Sequence, residues 1–306
     1  MQKYSIFNLI RNAFSGHQNW DLAWKDPTPK KEYDVVIIGG GGHGLATAYY
    51  LAKEHNITNV AIIEKGWIGG GNVGRNTTII RSNYMHDDNA LFSEFGMDLW
   101  RKMSQDLNYN VMFSPRGIIN LAHSDAQMNV YARRGNSMRL NGIDAVLLNR
   151  EQVKEIIPMA DFSENVRFPI FGGLMQPSAG TARHDAVAWG YARQADSMGV
   201  DIIQNCEVTG FDVSGGKING VRTSRGDIKV KKIGLCVAGS TNILAEKLNM
   251  TLPVETHLLQ ACVSEPVKPI LDRVVTFGAG HFYISQSDKG EMVMGGDLDG
   301  YNSYAQ

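Results

Sequence analysis

The sequence predicts a mixed α/β chain (α+β in its layout), with a parallel strand–helix–strand part interleaved with an antiparallel-sheet part. Three observations carry that reading. An apolar run at 33–38 enters a glycine cluster, and a helical stretch and a second apolar run at 60–63 follow it. Short β-branched and aromatic runs recur through the second half, with Gly215-Gly216 as a hairpin turn between two of them. Helical spacings separate these groups at 90–107, 124–141, 150–157 and 184–199, the third stopped by Pro158.

Taken in order, residues 1–32 read as an N-terminal arm, with Ile6, Phe7, Leu9, Ile10 and Phe14 spaced for an amphipathic helix that packs on this chain or a partner. Strands are expected at 117–122, 171–175, 201–203, 207–213, 218–223, 227–230 and 233–238. The stretch from 256 to 296 reads as three or four antiparallel strands. Segments 33–85 and 150–255 are assigned to the parallel part, and 86–149 and 256–306 to the antiparallel part. The chain stops at Gln306 without a closing helix, so it reads as truncated at its C-terminus.

Bulk properties exclude several classes. With 30 basic and 31 acidic residues the formal charge is -1, and the strongest basic cluster is only Lys229, Lys231 and Lys232. Nucleic acid is therefore not expected as the main partner. Three widely spaced cysteines, Cys206, Cys236 and Cys262, fit a reducing cytoplasm better than a disulfide framework or a zinc site. No apolar run reaches the length of a membrane span.

The glycine cluster carries the first functional signal. Gly39, Gly41 and Gly44 satisfy GxGxxG between a buried strand and a helix, and Glu64 ends the next strand twenty residues past Gly44. Gly39 permits the tight turn, Gly41 lets the backbone approach a pyrophosphate, and Gly44 lets helix and strand pack closely. The helix start offers free N–H groups to phosphate. The Glu64 carboxylate suits ribose hydroxyls and repels a 2′-phosphate, which disfavours NADP. The choice between NAD and FAD leans to FAD. A second glycine-rich loop at 69–78, containing Asn72, Arg75 and Thr77, follows the acidic strand end, and an apolar strand ends at Ala238-Gly239.

The segments DVVIIGGGGHGLATAYYLA, EKGWIGGGNVGRNTTIIRSNY and QPSAGTARHDAVAWGYAR together resemble the D-amino-acid-oxidase-like flavoproteins. Within that superfamily they are similar to the β subunits of heterotetrameric sarcosine oxidases, from about Trp24 to the end of the chain. The resemblance implies a Rossmann-like FAD-binding domain interleaved with a substrate domain. It also implies a cytoplasmic complex with α, γ and δ subunits, and oxidative demethylation of sarcosine to glycine. The methyl carbon would leave as formaldehyde or methylenetetrahydrofolate, and oxygen would be reduced to hydrogen peroxide. It implies non-covalent FAD at Gly42, His43, Glu64, Asn72, Thr77 and Ile79, with a backbone contact at Val208. It further implies FMN attached covalently to His184, where Arg183 stands in place of the family's usual lysine. Arg81, in its IIR motif, would clamp the substrate carboxylate through a planar two-pronged cation.

Without the resemblance, His184 reads as a polar residue at a helix start and Arg81 as a bridge from loop to sheet. His257 and His281 read as strand histidines facing solvent. Two alternatives stay open. One is a relative acting on another N-methyl or secondary amino acid without FMN. The other is a fragment that needs a partner chain.

Overall fold

The computed structural model describes residues 5–18, 22–163, 165–280 and 282–298. His281 and residues 299–306 of the expected antiparallel segment lie outside the described residues. After helix α1 (Ile6–Phe14), strand β1 (Glu32–Ile38) opens the first sheet. Helix α2 (Gly42–His55) carries the chain back to β2 (Val60–Ile63), which pairs with β1 in parallel, Val35 opposite Val60 and Ile38 opposite Ile63. A long turn then leads to the two-residue strand β3 (Ile79–Ile80).

Next come α3 (Asp87–Asp106), β4 (Ile118–Ala122), α4 (Asp125–Leu140), β5 (Val146–Asn149), α5 (Arg150–Ile156), β6 (Gly172–Gln176) and β7 (Gly180–Thr181). Helix α6 (His184–Ser197) returns to the first sheet at β8 (Asp201–Ile203), followed by β9 (Val208–Ser214), β10 (Lys217–Thr223) and β11 (Gly226–Leu235). Helix α7 (Thr241–Glu246) precedes β12 (Leu259–Pro266), β13 (Val274–Phe277), β14 (Phe282–Gln286) and β15 (Glu291–Leu298).

The six-stranded sheet runs β8-β2-β1-β11-β10-β9. Its first four strands are parallel, and β11-β10-β9 is an antiparallel meander. The seven-stranded sheet runs β12-β15-β14-β13-β4-β6-β5. β1 and β2 are buried on both faces, so their sequences are continuous apolar runs rather than alternating ones. Helices α2 and α6 cover one face of the first sheet through Leu45, Ala48, Tyr49, Ala188, Tyr191 and Ala192. Tyr49 and Tyr191 meet edge to face at 5.4 Å.

Three expectations change, and one strand, β5, is found where none was expected. The strands expected at 227–230 and 233–238 are one ten-residue strand, β11. It exchanges its partner β10 for β1 part-way, and Lys229, Lys231 and the adjacent Lys232, which breaks the alternation, hide its continuity in the sequence. The strand β5 has a single buried residue, Leu148, so no alternation announces it. The pair β13·β4 is parallel within an otherwise antiparallel region, a long-range pairing no local pattern encodes. Finally, β6 lies inside 150–255 yet is hydrogen-bonded in the seven-stranded sheet. Its residues Gly172 and Gly173 allow that placement. A Cβ on Gly173 would stand 2.9 Å from the Asn120 carbonyl oxygen, and one on Gly172 would collide with that of Leu148. The boundary between the two sheets thus falls after β7 rather than at residue 150.

The arm is only partly loose from the body. Asp26 accepts from the Gln204 N–H at 3.2 Å and pairs with Arg225 at 3.1 Å, and Lys30 pairs with Asp201 at 2.7 Å. Ile6, Phe7, Leu9, Ile10 and Phe14 of α1 are all exposed, and no residue of that helix is buried.

Candidate functional site

The turn from β1 into α2 forms the floor of the site. Gly39 has φ +107°, and a Cβ there would run into the Cys236 carbonyl at the end of β11. A Cβ on Gly44 would run into the Gly39 carbonyl, so this glycine sets the close approach of helix to strand. Gly41 differs from both. The nearest protein atom to a Cβ at this position is Val73 Cγ2, 3.9 Å away. Nothing in the chain itself demands a glycine there, which is the expected signature of a surface that a ligand occupies. Gly41 is the N-cap of α2 and offers no side chain, and the first turn holds no acid. The N–H groups of that turn, Gly42 and His43 among them, therefore face outward with the positive end of the helix dipole behind them. A diphosphate fits this donor set.

Glu64 braces the same turn. Its Oε2 accepts from the Gly40 N–H at 2.7 Å and its Oε1 from the Gly66 N–H at 2.8 Å. Each oxygen keeps a further lone pair for a ribose hydroxyl. The segment entering β9 closes on this point, with the Cys206 N–H bonded to the Glu64 carbonyl at 2.9 Å. Val208 follows two residues later and is buried. The 67–78 loop lies over the turn, tied by the Gly69 N–H to the Gly40 carbonyl at 2.9 Å. Asn72 and Arg75 are exposed on this loop, whereas Thr77 and Ile79 are half-buried, and His43 is exposed at the helix start. Thr78 holds φ +67°, a conformation that costs a β-branched residue about 1–3 kcal/mol and that clusters at functional sites.

The mini-sheet β3·β7, which the sequence did not announce, joins the two motifs. Ile79 pairs with Thr181 and Ile80 with Gly180, and the Ala182 N–H donates to the Thr78 carbonyl at 3.2 Å. Because the strands are antiparallel, Thr77 and Thr78 share an end with Arg183 and His184. Arg81 leaves from the opposite end. Gly180 is required here, since a Cβ would clash with the Ser114 carbonyl.

His184 opens α6 behind the cap residue Arg183. Its ring is half-buried and its Nδ1 is buried with no hydrogen-bond partner. Burial pushes the imidazole below the ordinary histidine range; Asp185 opposes this, while Arg183 and Lys289 reinforce it. Arg183 is ion-paired to Asp185 and lies 3.8 Å from Asp288. The turn between β14 and β15, with Asp288 and Lys289, is thus brought beside His184 by the fold alone. Lys289 carries no local signal in the sequence.

Arg81 donates from Nη1 to Asn83 Oδ1 at 2.6 Å and lies 4.6 Å from the centre of the Tyr84 ring. Ser82, Asn83 and Gln176 beside it are buried polar residues. Gln176 Nε2 donates to Ser82 Oγ at 2.7 Å, and Ser82 Oγ donates to Glu94 Oε2 at 2.6 Å. Sequence reasoning missed Asn83 and Gln176, although a polar residue inside an apolar run, as at Gln176 in β6, is a usable sign. His257 is exposed and 3.7 Å from Glu255, in the segment that precedes β12. Among the described residues no acid–histidine–cysteine cluster could hold a metal ion, and no helix is long and apolar enough to cross a membrane.

Comparison with known proteins places these features in context. The family profile described as FAD dependent oxidoreductase matches residues 34–305. The sarcosine oxidase subunit beta of Rhizobium meliloti is 61% identical over 304 residues, spanning 99% of this chain and 73% of that protein. The protein of the same name from an Arthrobacter species is 52% identical, spanning 94% of this chain and 71% of its own. Among solved structures, L-proline dehydrogenase from P. horikoshii superposes with a TM-score of 0.83 at 26% identity, covering 90% of this chain and 72% of that one. Glycine oxidase from Bacillus cereus shares the fold at a TM-score of 0.74 and 22% identity, covering 87% of this chain and 71% of its own.

Proposed function

Because this chain belongs to the FAD-dependent oxidoreductase family, and within it to the sarcosine oxidase β subunits, we propose that it binds FAD at the α2 turn and oxidises sarcosine to glycine. It does so as one subunit of a multi-subunit sarcosine oxidase. The observation that carries this reading is the 61% identity along 99% of the chain. The open, uncapped glycine turn supports it independently. When bound, FAD supplies a two-electron acceptor for oxidation of the substrate's C–N bond.

The chain's own residues then have separable tasks. Gly41, Gly42 and His43 present backbone N–H groups to the pyrophosphate, and Glu64 holds the ribose. Asn72, Arg75, Thr77 and Ile79 line the loop over the turn, and Val208 closes the adenine side. Arg81 orients the substrate carboxylate, the entropic part of catalysis. An FMN linked to His184 is part of the same reading. A neutral imidazole with an unpartnered buried nitrogen supports that attachment, and Arg183 and Lys289 supply the positive charge that an electron-rich flavin needs nearby. Subunits of α, γ and δ type are the expected partners.

The test is direct. The purified full chain, with its neighbouring subunits co-expressed, should turn over sarcosine with formaldehyde and hydrogen peroxide formed. Acid precipitation should release FAD, while a second flavin stays in the pellet on the His184 peptide. A preparation that releases all its flavin removes the FMN assignment. One that binds no flavin removes the whole reading.

A further inference from the structure

We infer that helix α1 docks this chain to another subunit of the same oxidase, by laying its apolar face into an apolar groove on that subunit. The inference rests on the multi-subunit reading above and adds to it the surface of this chain that makes the contact.

α1 is built for burial on one side. At the helical advance of about 100° per residue, Ile6, Leu9, Ile10 and Ala13 form a stripe, with Phe7 and Phe14 flanking it on one side. Asn8, Arg11 and Asn12 occupy the opposite face. The first turn is capped, with Ser5 Oγ accepting from the Asn8 N–H at 3.2 Å, and Arg11 meets the negative end of the helix dipole in the last turn. Yet the five large apolar side chains are between 48% and 90% exposed. The helix has nine residues, fewer than the roughly 12–15 at which an isolated helix begins to hold in water. Most of the stability of so short a helix comes from packing of its apolar face, and this chain buries none of it. A contiguous apolar face of this kind marks a site of association.

Three further observations say what covers it. A helix that lies on a lipid surface carries a polar face rich in lysine and arginine, whereas the polar face of α1 holds two asparagines and one arginine. Amides of this kind suit the polar rim of a protein interface. The arm is also held where it leaves the body. Trp24 packs on the core beneath α2 and α6, and the Lys25 N–H donates to Asp196 Oδ1 at 3.0 Å, next to the bonds of Asp26 and Lys30. Asp196 lies about 18 Å along α6 from His184, so the arm departs from the end of that helix remote from the proposed flavin attachment. Finally, the FAD dependent oxidoreductase profile begins at residue 34, after the arm, whereas the identity with the Rhizobium β subunit extends over 304 residues and so runs through α1. The helix is thus an addition to the common oxidoreductase body, shared with a protein that is named as a subunit. This favours a different subunit over a second copy of this chain.

The test uses the full chain co-expressed with its neighbouring subunits and captured by a tag at its C-terminal end, each co-purifying subunit being identified by mass. Ile6→Gln combined with Ile10→Gln replaces the centre of the stripe with residues that keep the helix. The concentration at which one subunit half-dissociates is expected to rise by about tenfold or more, with FAD content and the melting temperature of the isolated chain unchanged. Asn12→Gln, on the polar face, is expected to assemble like the parent. If the doubly substituted chain holds every subunit as the parent does, the docking role is overturned and the multi-subunit reading stands. If the parent itself captures no subunit, that reading fails and the docking role falls with it. Two other results overturn the docking role. A parent that dimerises alone through α1, with assembly indifferent to the substitutions, gives the helix to a second copy. A parent that sediments with phosphatidylcholine–phosphatidylserine vesicles through α1, again with assembly indifferent, gives it to a membrane surface.

Discussion

At the scale of single residues, Gly39, Gly41 and Gly44 look alike in sequence and differ in cause. Gly39 and Gly44 are forced by the chain's own carbonyls, whereas Gly41 meets open space. The two kinds should part under substitution. Gly44→Ala should destabilise the fold, by about 2–4 kcal/mol for an overpacked contact against backbone, and thermal unfolding would register it. In flavin-stripped protein a bulky side chain at Gly41 should leave the melting temperature nearly unchanged, while removing the extra stabilisation that added FAD gives the parent. His184 offers a second residue-level test. Its pKa is lowered in the folded chain, so its contribution to stability is present above the ordinary imidazole value of about 6.5. That contribution is lost as pH falls toward and through the lowered folded value. In chains whose His184 carries no flavin, His184→Gln should flatten the acid limb of the melting temperature below about pH 6.5. An unchanged limb would place the acid sensitivity elsewhere.

At the scale of elements, the β3·β7 pair decides the site's layout. It sets Thr77 and Thr78 beside Arg183 and His184 and directs Arg81 away from them. Gly180→Ala forces a Cβ against the Ser114 carbonyl and should separate the two motifs. The expected outcome is a joint loss of FAD retention and of flavin on the His184 peptide, with far-ultraviolet circular dichroism largely kept. Loss of one property alone would contradict the coupling. This is also where sequence reading reached its limit. The strand–turn–helix–strand unit at 33–63 was legible because local glycines and an acidic strand end encode it. The two-residue strands were not, because their pairing spans a hundred residues of chain and leaves no periodicity. The same holds for β13 beside β4 and for Lys289 beside His184.

At the scale of the whole molecule, two sheets divide the work. The six-stranded sheet, with α2 and α6 on one face, builds the turn proposed to hold FAD, and the seven-stranded sheet supplies Gln176 and, through the β14–β15 turn, Asp288 and Lys289. The sequence foresaw this interleaving but set its boundary at residue 150. The strand β6, inside the segment assigned to the FAD side, crosses to the other sheet because Gly172 and Gly173 admit neighbouring backbones.

The central claim is that the α2 turn, with Gly41 open and Glu64 one strand away, holds the FAD. Titration of flavin-stripped full chain with FAD, followed by flavin fluorescence, tests it most directly. About one FAD per chain should bind to the parent, while Gly41→Val should lose about tenfold or more in affinity without a matching loss of stability; Glu64→Ala should lose affinity as well, with a cost in stability from the Gly40 and Gly66 N–H groups it leaves unpaired. Equal affinity in all three proteins, or a parent that takes up no FAD, would contradict it.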